Sequence, residues 1–257
     1  MNYTLFLSLV CAGVFAGMLV CLEVGRRHGR RKAARDPHAA AEGLGTVDGA
    51  VFALLGLLLA FTFSGAAARF DTRRQLIVEE ANAIGTAYLR LDVLAAGAQP
   101  GLRDLFRRYV DTRIAVYRAL PDLSLASADL AKAAALQGEI WKAAVAGSMA
   151  APAPAAVLLL PALNAMIDTT TTRTMATQTH PPPVIFLMLI ALALASALLA
   201  GYGSARSPSR SWVHAVAFAA VMTVSIYVIL DLEFPRFGLI RVDAFDQVLV
   251  EVRDSMR

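Results

Sequence analysis

Four stretches of about twenty apolar residues constrain this chain more than any other feature of its sequence, because roughly 20 such residues in a helix cross a hydrocarbon core of about 30 Å. In chain order, these spans one to four cover residues 3–22, 47–68, 184–203 and 212–232. Hydrophobic residues make up 57% of the 257 residues and charged residues only 17%, whereas ordinary soluble domains carry about 25% charged residues. The sequence therefore predicts a multi-pass membrane protein and argues against a soluble enzyme.

The spacing of the spans divides the chain into domains. About 115 residues separate span two from span three, and this middle block is polar enough to leave the bilayer. Its apolar residues recur at helical intervals, without a strand pattern. We predict an all-α fold with four transmembrane helices in two hairpins and a helical extramembrane domain between spans two and three. The predicted domains are a first transmembrane hairpin at 1–68, the extramembrane helical domain at 69–180, a second transmembrane hairpin at 181–235 and a polar C-terminal tail at 236–257.

Span two is predicted to continue out of the membrane as one long helix that reaches about Leu94. Its apolar residues follow a coiled-coil-like stripe, and no helix breaker lies between Ala68 and Phe70. Further helices are predicted at about 102–120, 128–149 and 155–177. Prolines set the limits of these helices, and Pro161 is expected to kink the last of them.

The sequence shows no residue pattern for catalysis, metal binding or cofactor binding. Glu79 and Glu80 are neighbours on a helix, so their side chains point about 100° apart and cannot share a proton. The glycine-rich stretch 43–49 departs from the spacing of a dinucleotide loop and precedes a membrane span. The four histidines are scattered, at His28, His38, His180 and His214. We predict no catalytic residue, no metal and no cofactor, and the small net charge of +4 argues against nucleic-acid binding.

Span two carries two adjacent lines of residues that bear on function. Small residues recur every four positions at Gly56, Ala60 and Ser64, which lets helix backbones approach closely in lipid. Beside them lies a line of larger apolar residues, formed by Phe52, Leu59, Phe63 and Phe70. In an oligomer this line is a candidate hydrophobic constriction that gates by dewetting. The alternative, which the sequence alone favours, is that the phenylalanine line faces lipid and the small residues pack on span one.

Charged residues cluster where span two leaves the membrane and where span four ends. The first cluster is a candidate pore mouth, formed by Arg69, Arg73, Arg74, Glu79 and Glu80. A ring of arginines attracts anions and a ring of glutamates attracts cations, whereas snorkelling arginines are the alternative. The second cluster is formed by Asp231, Glu233 and Arg236. For it we expect a structural ion pair, with Arg236 or Arg69 as the cation, rather than an ion-binding site.

Three separated blocks resemble a family of bacterial membrane proteins described as bestrophin-like. The blocks are RFDTRRQLIVEEANAIGTAYLRLD at 69–92, LLPALNAMIDTTTTR at 159–173 and LDLEFPRFGLIRVDAFDQVL at 230–249. The resemblance covers nearly the whole chain and implies an oligomeric ion channel, a pentamer in the bestrophin arrangement, with span two lining the pore. The chain departs from bestrophins in lacking their asparagine-rich, multi-aromatic neck and an acidic calcium clasp.

The orientation suggested by charge conflicts with the resemblance. Eight basic residues lie in the loops after spans one and three, against six near the membrane ends on the opposite side. Short basic loops face the cytoplasm, so the loop 25–46 is predicted to be cytoplasmic. The bestrophin arrangement would instead place both termini and the middle block there. The Ala- and Arg-rich, Lys-poor composition indicates a bacterial plasma (inner) membrane.

Two functions fit these patterns. The first is a homo-oligomeric ion channel whose partners are the lipid bilayer, further copies of itself and inorganic ions. The second is a non-conducting membrane scaffold or sensor whose helical domain binds a partner. A membrane enzyme is a distant third, because no catalytic group is visible.

Overall fold

In the computed structural model, residues 3–35, 44–152, 154–206 and 212–256 are described, and their regular structure is entirely helical. The α-helices are α1 Tyr3–Arg35, α2 Leu44–Leu89, α3 Gln99–Arg118, α4 Leu123–Met149, α5 Pro154–Gln178, α6 Pro183–Gly203, α7 Trp212–Glu233 and α8 Gln247–Ser255. Short 3-10 turns lie at Arg90–Val93, Ser204–Arg206 and Asp243–Asp246. Four helical stretches are long and apolar enough to cross a membrane. The predicted all-α membrane fold is confirmed.

The chain forms two compact units. The first, which we call the membrane unit, combines Met1–Ala68 with His180–Phe234. The second, the helical unit, combines Arg69–Thr179 with Pro235–Arg257. The boundary at Ala68 falls inside α2, which continues past Phe70 without interruption, as its sequence pattern predicts.

In the membrane unit, α1 packs along α6 through glycines. A Cβ on Gly25 would lie 2.0 Å from the carbonyl oxygen of Leu198, and one on Gly201 would lie 2.0 Å from that of Leu22. A Cβ on Gly29 would lie 2.6 Å from the Cβ of Ala205 and 2.8 Å from the carbonyl oxygen of Tyr202. Only glycine permits backbones to approach this closely, as in small-xxx-small helix pairs. This helix crossing is not among the predictions from the sequence.

The glycine contact also corrects the predicted loop at 25–46. Residues 25–35 belong to α1, and α2 begins at Leu44. Gly25 and Gly29 do not end the helix, because both are buried in its packing against the α6 side of the unit. Residues 36–43 of the predicted loop lie outside the described residues.

The helical unit is built around a core that joins the second half of α2 to α3, α4 and α5. Its most buried side chains include Ile84, Phe106, Ile140 and Leu163, each at most 1% exposed. The α4 helix begins at Leu123, five residues before the predicted start, because the Asp122 carboxylate accepts hydrogen bonds from the first backbone amides and caps it.

The C-terminal segment belongs to the helical unit. Leu249 on α8 is fully buried, and Met256 is 4% exposed. Arg253 forms a two-bond ion pair with Asp111 on α3, at 2.7 and 3.0 Å. The segment predicted as a polar tail therefore contributes two apolar side chains to the core of this unit.

Candidate functional site

The small-residue line of α2 is exposed within the protomer. Gly56, Ala60 and Ser64 are all exposed, whereas Leu55 and Ala66, on the other side of α2, are 2% and 0% exposed. No described atom lies within 4 Å of the position that a Cβ on Gly56 would take, outside its own helix and neighbours. The alternative in which these residues pack on span one therefore does not describe this protomer.

The four residues of the predicted constriction differ in their surroundings. Phe52 is half-buried and makes an edge-to-face contact with Phe218 on α7, with ring centroids 6.4 Å apart. Leu59 and Phe70 are also half-buried, whereas Phe63 is 49% exposed. Phe63 is thus the member of the line with the most side-chain surface available to a second copy or a pore.

Two of the arginines after span two form hydrogen bonds or ion pairs within the helical unit. Arg73 is buried and donates hydrogen bonds to the carbonyls of Ala176 and Thr179. Arg74 is half-buried and pairs with Asp71 at 3.1 Å. Arg69 is half-buried.

The two neighbouring glutamates differ sharply in their surroundings. Glu79 is exposed and Glu80 is fully buried. Arg113 of α3 donates from Nε to Glu80 at 2.5 Å, and Arg173 of α5 donates to the other carboxylate oxygen. Two guanidiniums compensate the cost of burying the carboxylate, which unpaired would be prohibitive.

The ion pairs continue from Glu80 toward the C-terminal segment. Arg173 also donates to Asp246 at 2.6 Å, and Asp246 accepts two further hydrogen bonds from Arg236, at 2.7 and 3.0 Å. Arg236 additionally reaches Asp243 at 3.2 Å. We call the set of Glu80, Arg113, Tyr117, Arg173, Arg236 and Asp246 the arginine network.

Tyr117 lies at the centre of the arginine network. The guanidinium carbons of Arg173 and Arg236 lie 3.6 and 4.6 Å from its ring centroid, within the range of a cation–π interaction. Burial raises the pKa of the Tyr117 phenol, and the Glu80 carboxylate raises it further. Burial opposes the charge of Arg113, but the Glu80 carboxylate, which accepts a hydrogen bond from its Nε, raises the pKa of Arg113 above its ordinary value. The network therefore combines charged guanidiniums with a neutral phenol.

The acidic residues at the end of α7 are deeply buried. Asp231 and Glu233 are both 0% exposed. The Nδ1 atom of His180 lies 3.5 Å from Glu233, and the His180 ring stacks on Phe234 with centroids 4.4 Å apart. Arg236, the expected partner, pairs with Asp243 and Asp246. Pairing of the two α7 acids with Arg236 or Arg69 stays a prediction.

Comparison with known proteins supplies the family. The family model of the bestrophin-like domain matches residues 12–244, which include all of α2 to α7 and every residue of the arginine network except Asp246. The chain belongs to the bestrophin-like family. No curated protein and no solved structure matches it. Together with its four apolar helices, the match establishes this bestrophin-like protein as a membrane protein.

Most of the arginine network of this bestrophin-like protein is not among the residues predicted from the sequence. Glu80 and Arg236 are, whereas Arg113, Arg173, Tyr117 and Asp246 are not. One available signal was the position of Arg113, which falls at helical spacing among the buried Phe106, Tyr109 and Val116. A charged residue on the apolar face of a helix needs a buried partner. Among the described residues, no cluster of three or more His, Cys, Asp or Glu side chains could hold a metal ion.

Proposed function

We propose that this protein is a homo-oligomeric ion channel in which α2 lines the pore. The observation that carries the proposal is the exposed small-residue face of α2 in a membrane-crossing helix. The bestrophin family consists of ion channels, so family membership supports the same function. Inorganic ions and further copies of the chain are then its partners.

The exposed face of α2 suits contact with a second copy. In lipid, no hydrophobic effect drives helices together, because lipid tails already surround their apolar side chains. Small residues favour helix association there because they let the backbones approach closely. Gly56, Ala60 and Ser64 supply such a surface along about two turns of helix. A contact between this face and a different face of the next copy forms a ring when the rotation between copies closes, and a ring of this kind is the cyclic oligomer that we propose.

The constriction that we propose is formed by Phe63. It borders the small-residue line, so close packing along that line turns it toward the symmetry axis. A ring of phenylalanines expels water from a narrow passage. Phe52 and Leu59, which are half-buried, continue the apolar line of α2 beside Phe63. Arg69, Arg74 and Glu79, which are not fully buried, would set the charge at the mouth.

Replacing Gly56 with leucine tests the assembly surface. The leucine side chain would fill the space through which a second copy approaches, so we expect the purified protein to shift toward monomer in native mass spectrometry. The control is Gly13→Leu on α1, since Gly13 is also exposed and has no described atom within 4 Å of a Cβ. We expect Gly13→Leu to keep the oligomer.

A monomeric wild-type protein would contradict the channel proposal. In that case the second function, a non-conducting scaffold or sensor whose helical unit binds a partner, would be favoured. An oligomer that Gly56→Leu leaves unchanged would show that copies associate through another face, and the assignment of α2 as the assembly and pore helix would be wrong.

A further inference from the structure

Building on the channel function proposed above, we propose that the arginine network together with Arg73 fixes the rotational register of α2, and thereby the face that α2 turns toward the pore. No residue of the network lies among the membrane-unit residues of α2. Its effect on them would pass along the continuous helix.

The first residue that anchors α2 to a neighbouring helix is Arg73. Arg73 is 6% exposed, and its guanidinium donates from Nε to the carbonyl of Ala176 at 3.1 Å and from Nη2 to that of Thr179 at 3.0 Å. These carbonyls lie in the last turn of α5 and just after it, where helix carbonyls lack intrahelical partners and carry partial negative charge. Arg73 therefore ties one side of α2 to the C-terminal end of α5.

The second residue that anchors α2 is Glu80, seven residues further along the helix. Seven residues are close to two full helical turns, so Arg73 and Glu80 lie on nearly the same face. Arg113 and Arg173 hold the Glu80 carboxylate from α3 and α5. Rotating α2 by one residue, about 100°, would leave two buried guanidiniums without this carboxylate. The register of α2 in the helical unit is therefore fixed from two neighbouring helices.

The third part of the network joins the C-terminal segment to the same point. Asp246 bridges Arg173 and Arg236, and both guanidiniums lie over the ring of Tyr117. Arg173 thus has two acidic partners, Glu80 and Asp246. Since Asp246 positions Arg173, we expect Asp246 to influence the ion pair between Arg173 and Glu80.

Arg73 and the network residue Arg236 lie close in sequence to places where the chain passes from one unit to the other. The chain passes between units after Ala68, after Thr179 and after Phe234. Arg73 follows the first of these places by five residues and is bonded to Thr179 at the second, and Arg236 follows the third by two residues. Within the helical unit, Arg73 and the network thus link all three segments that continue into the membrane unit.

The α2 helix itself carries the register from one unit to the other. It is continuous over Leu44–Leu89, so a rotation imposed at Glu80 would be passed along the helix toward Phe63 and Phe52. Phe52 offers a readout, because it contacts Phe218 of α7 inside the membrane unit, at 6.4 Å between ring centroids. A change of register moves Phe52 away from Phe218 without any direct perturbation of either residue.

The test is a cross-linking rate between cysteines at positions 52 and 218, in full-length protein in which Cys11 and Cys21 are alanine. A short bifunctional thiol reagent is added in detergent, and intact mass reports the cross-linked fraction over time. We expect Glu80→Gln, which keeps the shape but removes the charge, to slow cross-linking about threefold or more by populating other registers. Glu79→Gln, at the exposed neighbour, serves as the matched control and should leave the rate unchanged.

A second variant keeps the test decisive if Glu80→Gln does not fold. Asp246→Asn, at a partly exposed side chain, should slow cross-linking in the same direction by a smaller factor, compared with Asp254→Asn on the exposed side of α8. Equal rates in each folded variant and its control would overturn the proposal. Because the readout lies within one protomer, a protein that shows the slower cross-linking but carries no ions would refute the channel function and leave the register inference standing.

Discussion

Replacing Gly201 with alanine should destabilise the membrane unit at the close glycine contact between α1 and α6. The added Cβ would lie 2.0 Å from the carbonyl oxygen of Leu22 and 2.7 Å from its carbonyl carbon. Ordinary van der Waals contact begins near 3.4 Å, so the helices must separate by about 1.4 Å at this point. The obstacle is backbone, and no side-chain rotation can relieve it.

The free-energy cost of Gly201→Ala comes from the packing between α1 and α6 that their separation disturbs. A gap of about 0.5–1 Å already forfeits a quarter to a half of the dispersion attraction between facing atoms. The fully buried residues Met18, Leu189 and Ala193 belong to the two helices concerned. Overpacking costs about 1–3 kcal/mol, and a rigid backbone clash places Gly201→Ala near the upper end. For a chain of this size, about 3 kcal/mol corresponds to a fall in Tm of about 6–12 °C.

The assay is thermal unfolding of the purified protein in detergent, followed by circular dichroism. Gly203→Ala is the matched control on the same helix, because no described atom lies within 4 Å of its added Cβ. We expect the control to change stability by no more than about 0.5 kcal/mol, as for other open sites. Equal Tm values for the two variants would refute the close approach of α1 and α6.

Two further predictions concern the helical unit and the orientation of the chain. Glu80→Gln should lower the free energy of unfolding by about 3 kcal/mol or more, because it leaves buried guanidiniums uncompensated, whereas Glu79→Gln should be nearly neutral. Chemical denaturation measures both variants, and equal midpoints would show that Glu80 is not paired. If the basic end of α1 is cytoplasmic, a cysteine at the exposed Ala34 should resist an impermeant maleimide in otherwise intact cells whose outer membrane alone is permeabilised, and one at the exposed Ser127 should react. Both variants carry alanine in place of the free cysteines Cys11 and Cys21. The reverse pattern would favour the bestrophin arrangement.

The helices could be predicted from the sequence because hydrophobic periodicity and proline positions are local. The continuation of α2 past Phe70 follows from an apolar pattern without a breaker, and the helices of the middle block lie close to their predicted positions. The start of α4 was less accurate, because the cap at Asp122 depends on a single side chain. Local patterns thus determine where the helices are.

The contacts between helices could not be predicted in the same way. Phe52 and Phe63 lie close to one line on α2, yet Phe52 contacts α7 and Phe63 is half exposed, because tertiary packing decides which part of a helix face is covered. Glu80 and Arg173 are 93 residues apart in sequence, and no periodicity connects them. The Gly25 and Gly201 contact likewise requires two distant helices to meet.

Ion flux through proteoliposomes is the most direct test of the proposed channel. The measurement compares purified wild-type protein, Phe63→Ala and Phe61→Ala, in which the second phenylalanine lies about 160° away around α2 and is 66% exposed. If Phe63 forms the constriction of a homo-oligomer, Phe63→Ala widens and wets the pore and raises the flux above wild type, whereas Phe61→Ala leaves it unchanged. Flux at the level of empty liposomes in both wild type and Phe63→Ala would contradict the channel account.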